Sequence, residues 1–231
     1  MANQNLEMLR AAVRRLKDLS NEMVFVGGCT TELLITDVAA DQIRPTDDVD
    51  AIVEATSYVQ YMKLADRLKE VGFKQDTRED APLCRWVNEE TVLDVMPLDE
   101  KILGFANRWY KDAITQSVLK EIMPGIHIKV ISPPFFCVTK LEAFANRGNS
   151  DFYASHDLED LVAVIDGRRE IVDEIRSVGN EVRLFIVAEV GKLLRSTGFI
   201  DALPGHLPGD AASQARLPDL ISRLKEISEL S

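Results

Sequence analysis

The chain has 231 residues, which is long enough for one large domain or two small ones with a buried core. Its composition, 46% hydrophobic and 28% charged, is typical of a soluble globular protein and argues against disordered and fibrous classes. The net charge of -11 disfavours capture of a long nucleic acid on a broad basic surface, but it suits a site whose carboxylates are neutralised by Mg²⁺.

The N-terminal segment predicts an amphipathic helix over residues 4–20, because leucine and valine recur there at helical spacing. It lacks the continuous apolar region of a signal peptide, and no stretch of the chain approaches the length of a membrane span. Three widely spaced cysteines predict neither a disulfide framework nor a zinc site. We therefore expect a cytoplasmic protein without a membrane partner.

The first part of the chain alternates strand and helix patterns. After the first helix, the predicted elements are a strand at 23–26, a short helix at 30–35, a polar loop at 37–47, a strand at 49–53, a helix at 57–71, and strands at 83–87, 91–96, 113–119 and 126–131. Residues 88–90 are predicted to form a hairpin turn between the third and fourth strands.

The second part, after Pro133 and Pro134, is helical almost to the end. The helices are predicted at 135–147, 156–166, 168–178, 180–196 and 213–229. The strands have too few crossover helices for a doubly wound sheet, so the fold class is α+β. We expect an α/β domain over residues 1–131 and a helical domain over residues 132–231.

Two acids stand two positions apart at the start of the second strand. Asp48 and Asp50 are expected to point to the same face of the sheet, where two neighbouring carboxylates repel each other. A divalent cation relieves that repulsion and uses both as oxygen ligands. Asp47 has the opposite parity and is expected to be a loop or cap residue. The alternative is a solvated acidic turn without function.

A glycine pair, Gly27 and Gly28, follows the first strand and precedes a helix. Glycines at such a turn let the backbone approach a phosphate, and the helix start offers unpaired N–H groups. Thr30 could add a hydroxyl. The alternative is a simple strand-to-helix turn.

A third carboxylate, Asp94, lies within a strongly apolar strand. A charge in such a run is usually paired or functional, because burying it alone is costly. With Asp48 and Asp50 it could hold two Mg²⁺ ions. Such a pair suits in-line attack on the α-phosphate of an NTP, with one ion activating the incoming hydroxyl and the other stabilising the leaving pyrophosphate.

This ordered set of a glycine pair, an Asp-x-Asp strand and an isolated later Asp resembles the DNA polymerase β-like nucleotidyltransferases. The segments KLEAFANR at 140–147 and SHDLEDL at 155–161 resemble the AbiE-type toxins of type IV toxin–antitoxin systems, which pair a helix lysine with an Asp in a following helix. The resemblance covers roughly residues 24 to 166 and implies a mixed sheet with flanking helices, followed by a helical bundle. In place of the serine that many members have after the glycines, this chain has Cys29.

The resemblance also implies roles for individual residues. Gly27 and Gly28 would cradle the triphosphate, the three acids would hold Mg²⁺, and Asp94 would help to deprotonate the acceptor. Lys140 would reach the triphosphate, and Asp157 matches the final acidic position of the family.

Other interpretations of the same residues stay open. Lys140 and Arg147 share a helix face with Phe144, which is typical of stems that reach into a cleft but also of a core face with peripheral cations. Asp157 lies in the first turn after the predicted N-cap Ser155, so it could simply favour the helix dipole. Arg44 could contact phosphate or pair with a surface acid.

The function expected from these patterns is Mg²⁺-dependent transfer of an NMP from an NTP to an RNA end, as in a toxin with an antitoxin partner. Transfer to a small hydroxylated molecule, as in antibiotic nucleotidyltransferases, or to a protein is the alternative within the enzyme class. A non-catalytic nucleotide-binding module is the alternative outside it.

Overall fold

The computed structural model describes residues 4–40, 43–148 and 151–231. The strands within these ranges are β1 (Met23–Val26), β2 (Val49–Val53), β3 (Lys74–Gln75), β4 (Arg85–Val87), β5 (Val92–Pro97), β6 (Val118–Met123) and β7 (Ile126–Val130). The α-helices are α1 (Gln4–Leu16), α2 (Thr31–Leu34), α3 (Tyr58–Glu70), α4 (Glu100–Leu103), α5 (Tyr110–Thr115), α6 (Pro133–Arg147), α7 (His156–Gly167), α8 (Ile171–Ser177), α9 (Asn180–Arg195), α10 (Thr197–Ala202), α11 (Ala211–Gln214) and α12 (Leu217–Ser228).

The chain divides into two compact units. The sheet unit comprises Met1–Thr30 and Pro45–Ser132, and the helical unit comprises Thr31–Arg44 and Pro133–Ser231. Independent folding of residues 1–131 and 132–231 as two domains stays a prediction.

All strands of the sheet unit form one seven-stranded sheet in the order β3-β4-β5-β2-β1-β7-β6. The pairs β2–β5 and β1–β7 are parallel, and the others are antiparallel. Every residue of β1 is buried, as its unbroken apolar run requires. A mixed sheet with flanking helices and a helical C-terminal region confirms the predicted α+β class.

Helices α1 and α3 cover this sheet with amphipathic faces. In α1 the buried residues Leu9, Ala12, Val13 and Leu16 follow helical spacing. In α3 the Tyr61 hydroxyl donates a hydrogen bond to the Val95 carbonyl at 3.0 Å. Burial raises the pKa of Tyr61 to about 12, so this bond persists across the physiological range.

The helical unit combines the C-terminal helices with a short segment from early in the chain. The backbone N–H of Thr36 bonds to the carbonyl of Gly167 at 2.9 Å. Arg168 donates through Nη1 to the Leu34 carbonyl at 2.6 Å. These contacts attach the end of α2 to the end of α7.

One predicted strand, over residues 113–119, is wrong. Residues Tyr110–Thr115 form α5, and β6 begins only at Val118. The Ala113 N–H bonds to the Trp109 carbonyl four residues earlier at 2.8 Å, which is the helical pattern. A short run of apolar and β-branched residues has no spacing that separates strand from helix.

The other predicted helices and strands are present with small shifts of their ends, and β3, α4, α10 and α11 are additional. The predicted loop at 37–47 includes a short 3-10 turn at Val38–Ala40, and its residues 41 and 42 lie outside the described residues. No helix in the described part of the chain has the length and apolar character needed to cross a membrane.

Candidate functional site

The glycine turn after β1 is shaped by its backbone. Gly27 has φ +70°, a conformation that side chains other than glycine rarely adopt. The Thr30 hydroxyl donates to the Gly27 carbonyl at 2.8 Å, and the Thr30 N–H donates to the same oxygen at 3.1 Å. These bonds close the turn.

The same glycine lies against the carboxylate of Asp50. A Cβ built on Gly27 would collide with Asp50 Oδ2 and lie 2.7 Å from its carboxyl carbon. The register of the sheet explains this proximity, because Asp50 on β2 is directly opposite Val26, the residue before the turn. Only glycine fits beside the acid here.

A row of charged residues crosses three neighbouring strands. In the sheet register Asp50 on β2 is opposite Asp94 on β5, and Asp94 is opposite Arg85 on β4. Directly opposite residues project from the same face of a sheet. The three side chains therefore share one face of the sheet.

Arg85 joins two of the three predicted carboxylates. Its Nε and Nη2 donate to Asp94 Oδ1 and Oδ2 at 2.9 and 2.8 Å, and Nη2 also donates to Asp48 Oδ2 at 2.7 Å. Asp48 accepts a further bond from the Thr46 hydroxyl at 3.0 Å. The Asp94 side chain is 9% exposed, whereas Arg85 and Asp48 are 22% and 28% exposed.

The electrostatics of this cluster favour the charged arginine. The hydrogen bond to Asp94 raises the pKa of Arg85 above its ordinary value, although partial burial opposes the shift. A guanidinium that binds a carboxylate through two parallel bonds is also fixed in direction. Arg85 therefore serves as the counter-ion of Asp94 and Asp48.

The donor set fits a hard divalent cation in its chemistry, since carboxylate oxygens are the ligands that Mg²⁺ prefers. Asp48 and Asp94 already converge on a single positive charge, and Asp50 is the neighbour of Asp94 on the sheet. Among the described residues, however, no three His, Cys, Asp or Glu side chains are grouped closely enough to hold a metal ion. Arg85 supplies the positive charge in this arrangement.

A second charged cluster lies in the helical unit. Lys140 on α6 donates to Asp157 Oδ1 at 3.2 Å and to Asp160 Oδ2 at 2.7 Å, both on α7. Arg44 donates to Asp160 Oδ2 at 3.3 Å, and Arg147 binds both oxygens of Asp157 at 3.0 Å. Asp160 is 2% exposed, so it is a buried acid shared by two cations.

Asp157 is more than a helix-dipole acid. Burial would raise its pKa, but the hydrogen bond from Arg147 and the charge of Lys140 outweigh that effect, so the pKa of Asp157 is lowered from 3.8. Ser155 is the N-cap of α7, as predicted, and accepts the Leu158 N–H. Both expected features of Asp157 are present: it is a first-turn residue and the partner of a lysine.

We expect Asp157→Asn to lower the free energy of unfolding at neutral pH by about 2 kcal/mol, because two charge-assisted contacts are weakened in a buried place. A lowered pKa makes the contribution of Asp157 complete above 3.8 and lets it vanish as pH falls through the folded value. Urea titrations of both proteins from neutral pH down to about pH 3 should therefore show curves that converge only at the acidic end.

The control is Asp219→Asn, which changes an exposed acid in the first turn of α12. This variant should lose only a small helix-dipole contribution. Equal losses in the two variants would assign Asp157 to the dipole alone and would contradict its role as an ion-pair partner.

The structure brings together only some of the predicted site residues. Gly27 and Asp50 are in contact, and Asp48 and Asp94 share Arg85. Thr30 is fully buried, and its hydroxyl is bonded to Gly27. Gly28 begins the short 3-10 turn that follows. Contact of any of these residues with a nucleotide stays a prediction.

Arg85 is the residue that the sequence analysis missed. The predicted hairpin did not reveal it, because a turn over residues 88–90 would place Arg85 opposite Leu93. In the structure the connection is one residue longer, so that Val87 is opposite Val92 and Arg85 is opposite Asp94. Asp160 has no local signal beyond its position one turn after Asp157, and its ion pair with Arg44 joins residues that are 116 positions apart.

Comparisons with known proteins agree with this fold. No protein-family model and no curated protein sequence matches the chain. A solved structure of an antigenic nucleotidyltransferase-like protein from Paracoccidioides brasiliensis is similar over 97% of this chain and 94% of that one, with 18% identity and a TM-score of 0.55. The JHP933 structure from Helicobacter pylori is similar over 99% of this chain and 94% of that one, with 14% identity and a TM-score of 0.51. At these identities the similarity concerns the fold alone, and this chain has the fold of nucleotidyltransferase-like proteins.

Proposed function

We propose that the protein is a Mg²⁺-dependent nucleotidyltransferase that moves an NMP from an NTP to an acceptor. The observation that carries the proposal is the charged row on one sheet face, in which Asp50 meets the Gly27 turn and Asp94 shares a positive charge with Asp48. Acidic residues on neighbouring strands beside a glycine turn suit a cation and a phosphate better than they suit a structural core.

In this proposal Asp48, Asp50 and Asp94 would hold Mg²⁺. Bound Mg²⁺ would neutralise the triphosphate and make the acceptor hydroxyl more acidic. Asp94 is the most buried of the three and would also accept the proton of that hydroxyl. The Gly27–Gly28 turn would offer backbone N–H groups to the phosphates without a Cβ in the way.

The narrower resemblance to AbiE-type toxins is supported by the Lys140–Asp157 pair, a helix lysine bonded to an Asp of the following helix. Nucleotide contacts by Lys140, Asp157 and Arg44 stay predictions. An RNA end as acceptor and an antitoxin as partner are parts of the same proposal. A small hydroxylated acceptor is its alternative.

The experiment that tests this function is label transfer. The purified protein is incubated with each α-³²P-labelled NTP and Mg²⁺, in separate reactions with cellular RNA, protein and small metabolites. We expect label in one of these pools and about a thousandfold less in the Asp48→Ala/Asp50→Ala double variant, because it lacks two metal ligands. The pool that takes the label identifies the acceptor class.

The matched control is Asp47→Ala, since Asp47 is the exposed acid next to the pair. It should transfer label like the unmodified chain. No label in any pool, with folded protein, would reject the enzyme and favour a nucleotide-binding module. Equal labelling by the double variant would reject the role of the two acids.

A further inference from the structure

Arg85 occupies the place between Asp48 and Asp94 where the proposed function requires Mg²⁺. The inference drawn from this position rests on that proposed function. Its guanidinium lies where Asp48 and Asp94 converge and binds them with three hydrogen bonds of 2.7 to 2.9 Å. A divalent cation held between the same two carboxylates would occupy the position of the guanidinium, and the two positive charges would repel each other. The arginine and the cation therefore exclude each other at these atoms.

The local structure explains why a positively charged arginine is needed beside Asp94 and Asp48. Asp94 is nearly buried, and an uncompensated carboxylate in such a place is costly, with Asp48 adding a second negative charge close by. A planar guanidinium satisfies both acids at once, whereas a lysine could not bind Asp94 through two parallel bonds. Arg85, which lies on the strand next to Asp94, thus compensates part of the negative charge of these acids.

The guanidinium group of Arg85 is also placed so that it can move away from the two carboxylates. Its side chain is 22% exposed, and β4 is a strand of three residues. The long stem of an arginine allows its head to move into solvent while its backbone stays in the sheet. Asp94 has no such freedom to withdraw, because it lies within the longer β5.

We propose that Arg85 is an internal counter-ion that competes with the divalent cation for Asp48 and Asp94, so that metal loading requires Arg85 to swing away. Two results follow. The metal-free site is stabilised by Arg85, and metal affinity is lower than the carboxylates alone would give.

The test measures metal binding without nucleotide or turnover. Mn²⁺ is titrated into the full chain, and free Mn²⁺ is followed by its EPR signal for the unmodified protein, Arg85→Gln and Arg85→Lys. We expect Arg85→Gln to bind Mn²⁺ about tenfold more tightly, since the cation no longer displaces charge-assisted hydrogen bonds. Arg85→Lys should fall between the two, because lysine keeps the charge but loses the paired geometry. Arg78→Gln, which removes an exposed arginine paired with Asp76, is the control and should bind like the unmodified chain.

Thermal unfolding supplies a second readout that also shows whether each variant folds. In EDTA, Arg85→Gln should melt at a lower temperature than the unmodified chain, and added Mg²⁺ should raise its Tm by the larger amount. Equal or weaker Mn²⁺ binding by Arg85→Gln would overturn the competition while leaving the proposed function in place. No Mn²⁺ binding by any of the folded proteins would overturn both.

Discussion

We expect Asp94→Asn to reduce nucleotidyl transfer by about a thousandfold, because a carboxylate that holds a catalytic cation contributes several kcal/mol to the transition state. Asparagine has the same shape and still offers one oxygen to Arg85, so the fold should persist. The loss should appear in kcat, with little change in the KM for the NTP, because the missing charge acts mainly in the transition state. Steady-state kinetics with circular dichroism of the same samples would check both statements.

The matched control for this prediction is Asp99→Asn. Asp99 lies just after β5 and is the N-cap of α4, where its side chain accepts the Lys101 N–H. Asparagine is an equally good N-cap, so this variant should keep both its fold and its activity. Activity of Asp94→Asn within a few-fold of that of Asp99→Asn would contradict the assignment of Asp94 to the catalytic site.

The second large effect is expected from Gly27→Ala. An alanine at φ +70° costs about 1–2 kcal/mol of conformational energy, and its Cβ would also displace the Asp50 carboxylate. A displacement of a ligand by about 1 Å can cost about a hundredfold in rate, so transfer should fall by at least that factor. Initial rates of label transfer would measure the loss.

Gly125→Ala is the control that has the conformational cost of a positive φ without a collision between the new Cβ and a carboxylate. Gly125 is in the same sheet unit at φ +75°, and a Cβ there would meet nothing within 4 Å. It should destabilise the protein by a similar conformational energy while transfer continues at the normal rate. If the two variants lose equal stability and neither loses activity, Gly27 is a turn residue only.

The strands could be predicted from the sequence where apolar residues are continuous or alternate with polar ones. Strands β1 and β2 have the predicted ends, because Met23–Val26 is an unbroken apolar run and Val49–Val53 is apolar except for Asp50, with glycine or acidic residues on either side. The prediction failed at residues 113–119, because this short segment, which includes the polar Gln116 and Ser117, has no spacing that separates a strand from the short α5 that is present.

The candidate site was predictable only in its local parts. The alternation of polar and apolar residues along β2 predicts that Asp50 lies on the polar face of the sheet. The apolar neighbours of Asp94 in the sequence predict that this acid is paired or functional. That Asp50 and Asp94 are direct neighbours depends on the parallel pairing of β2 with β5, which joins residues 44 positions apart and which no local pattern encodes. The same reason hid the contact between Arg44 and Asp160, whose positions differ by 116 residues.

In the proposed function, Asp48, Asp50 and Asp94 serve the transfer of a nucleotidyl group rather than of a phosphoryl group. The most direct test compares the fate of two labels, with the same NTP carrying ³²P at the α-phosphate in one reaction and at the γ-phosphate in the other. We expect the α-label to join the acceptor and the γ-label to leave in pyrophosphate. Both events should be lost together in Asp94→Asn. Transfer of the γ-label to the acceptor would contradict nucleotidyl transfer. The absence of both labelled acceptor and labelled pyrophosphate in a reaction with folded protein would contradict it as well.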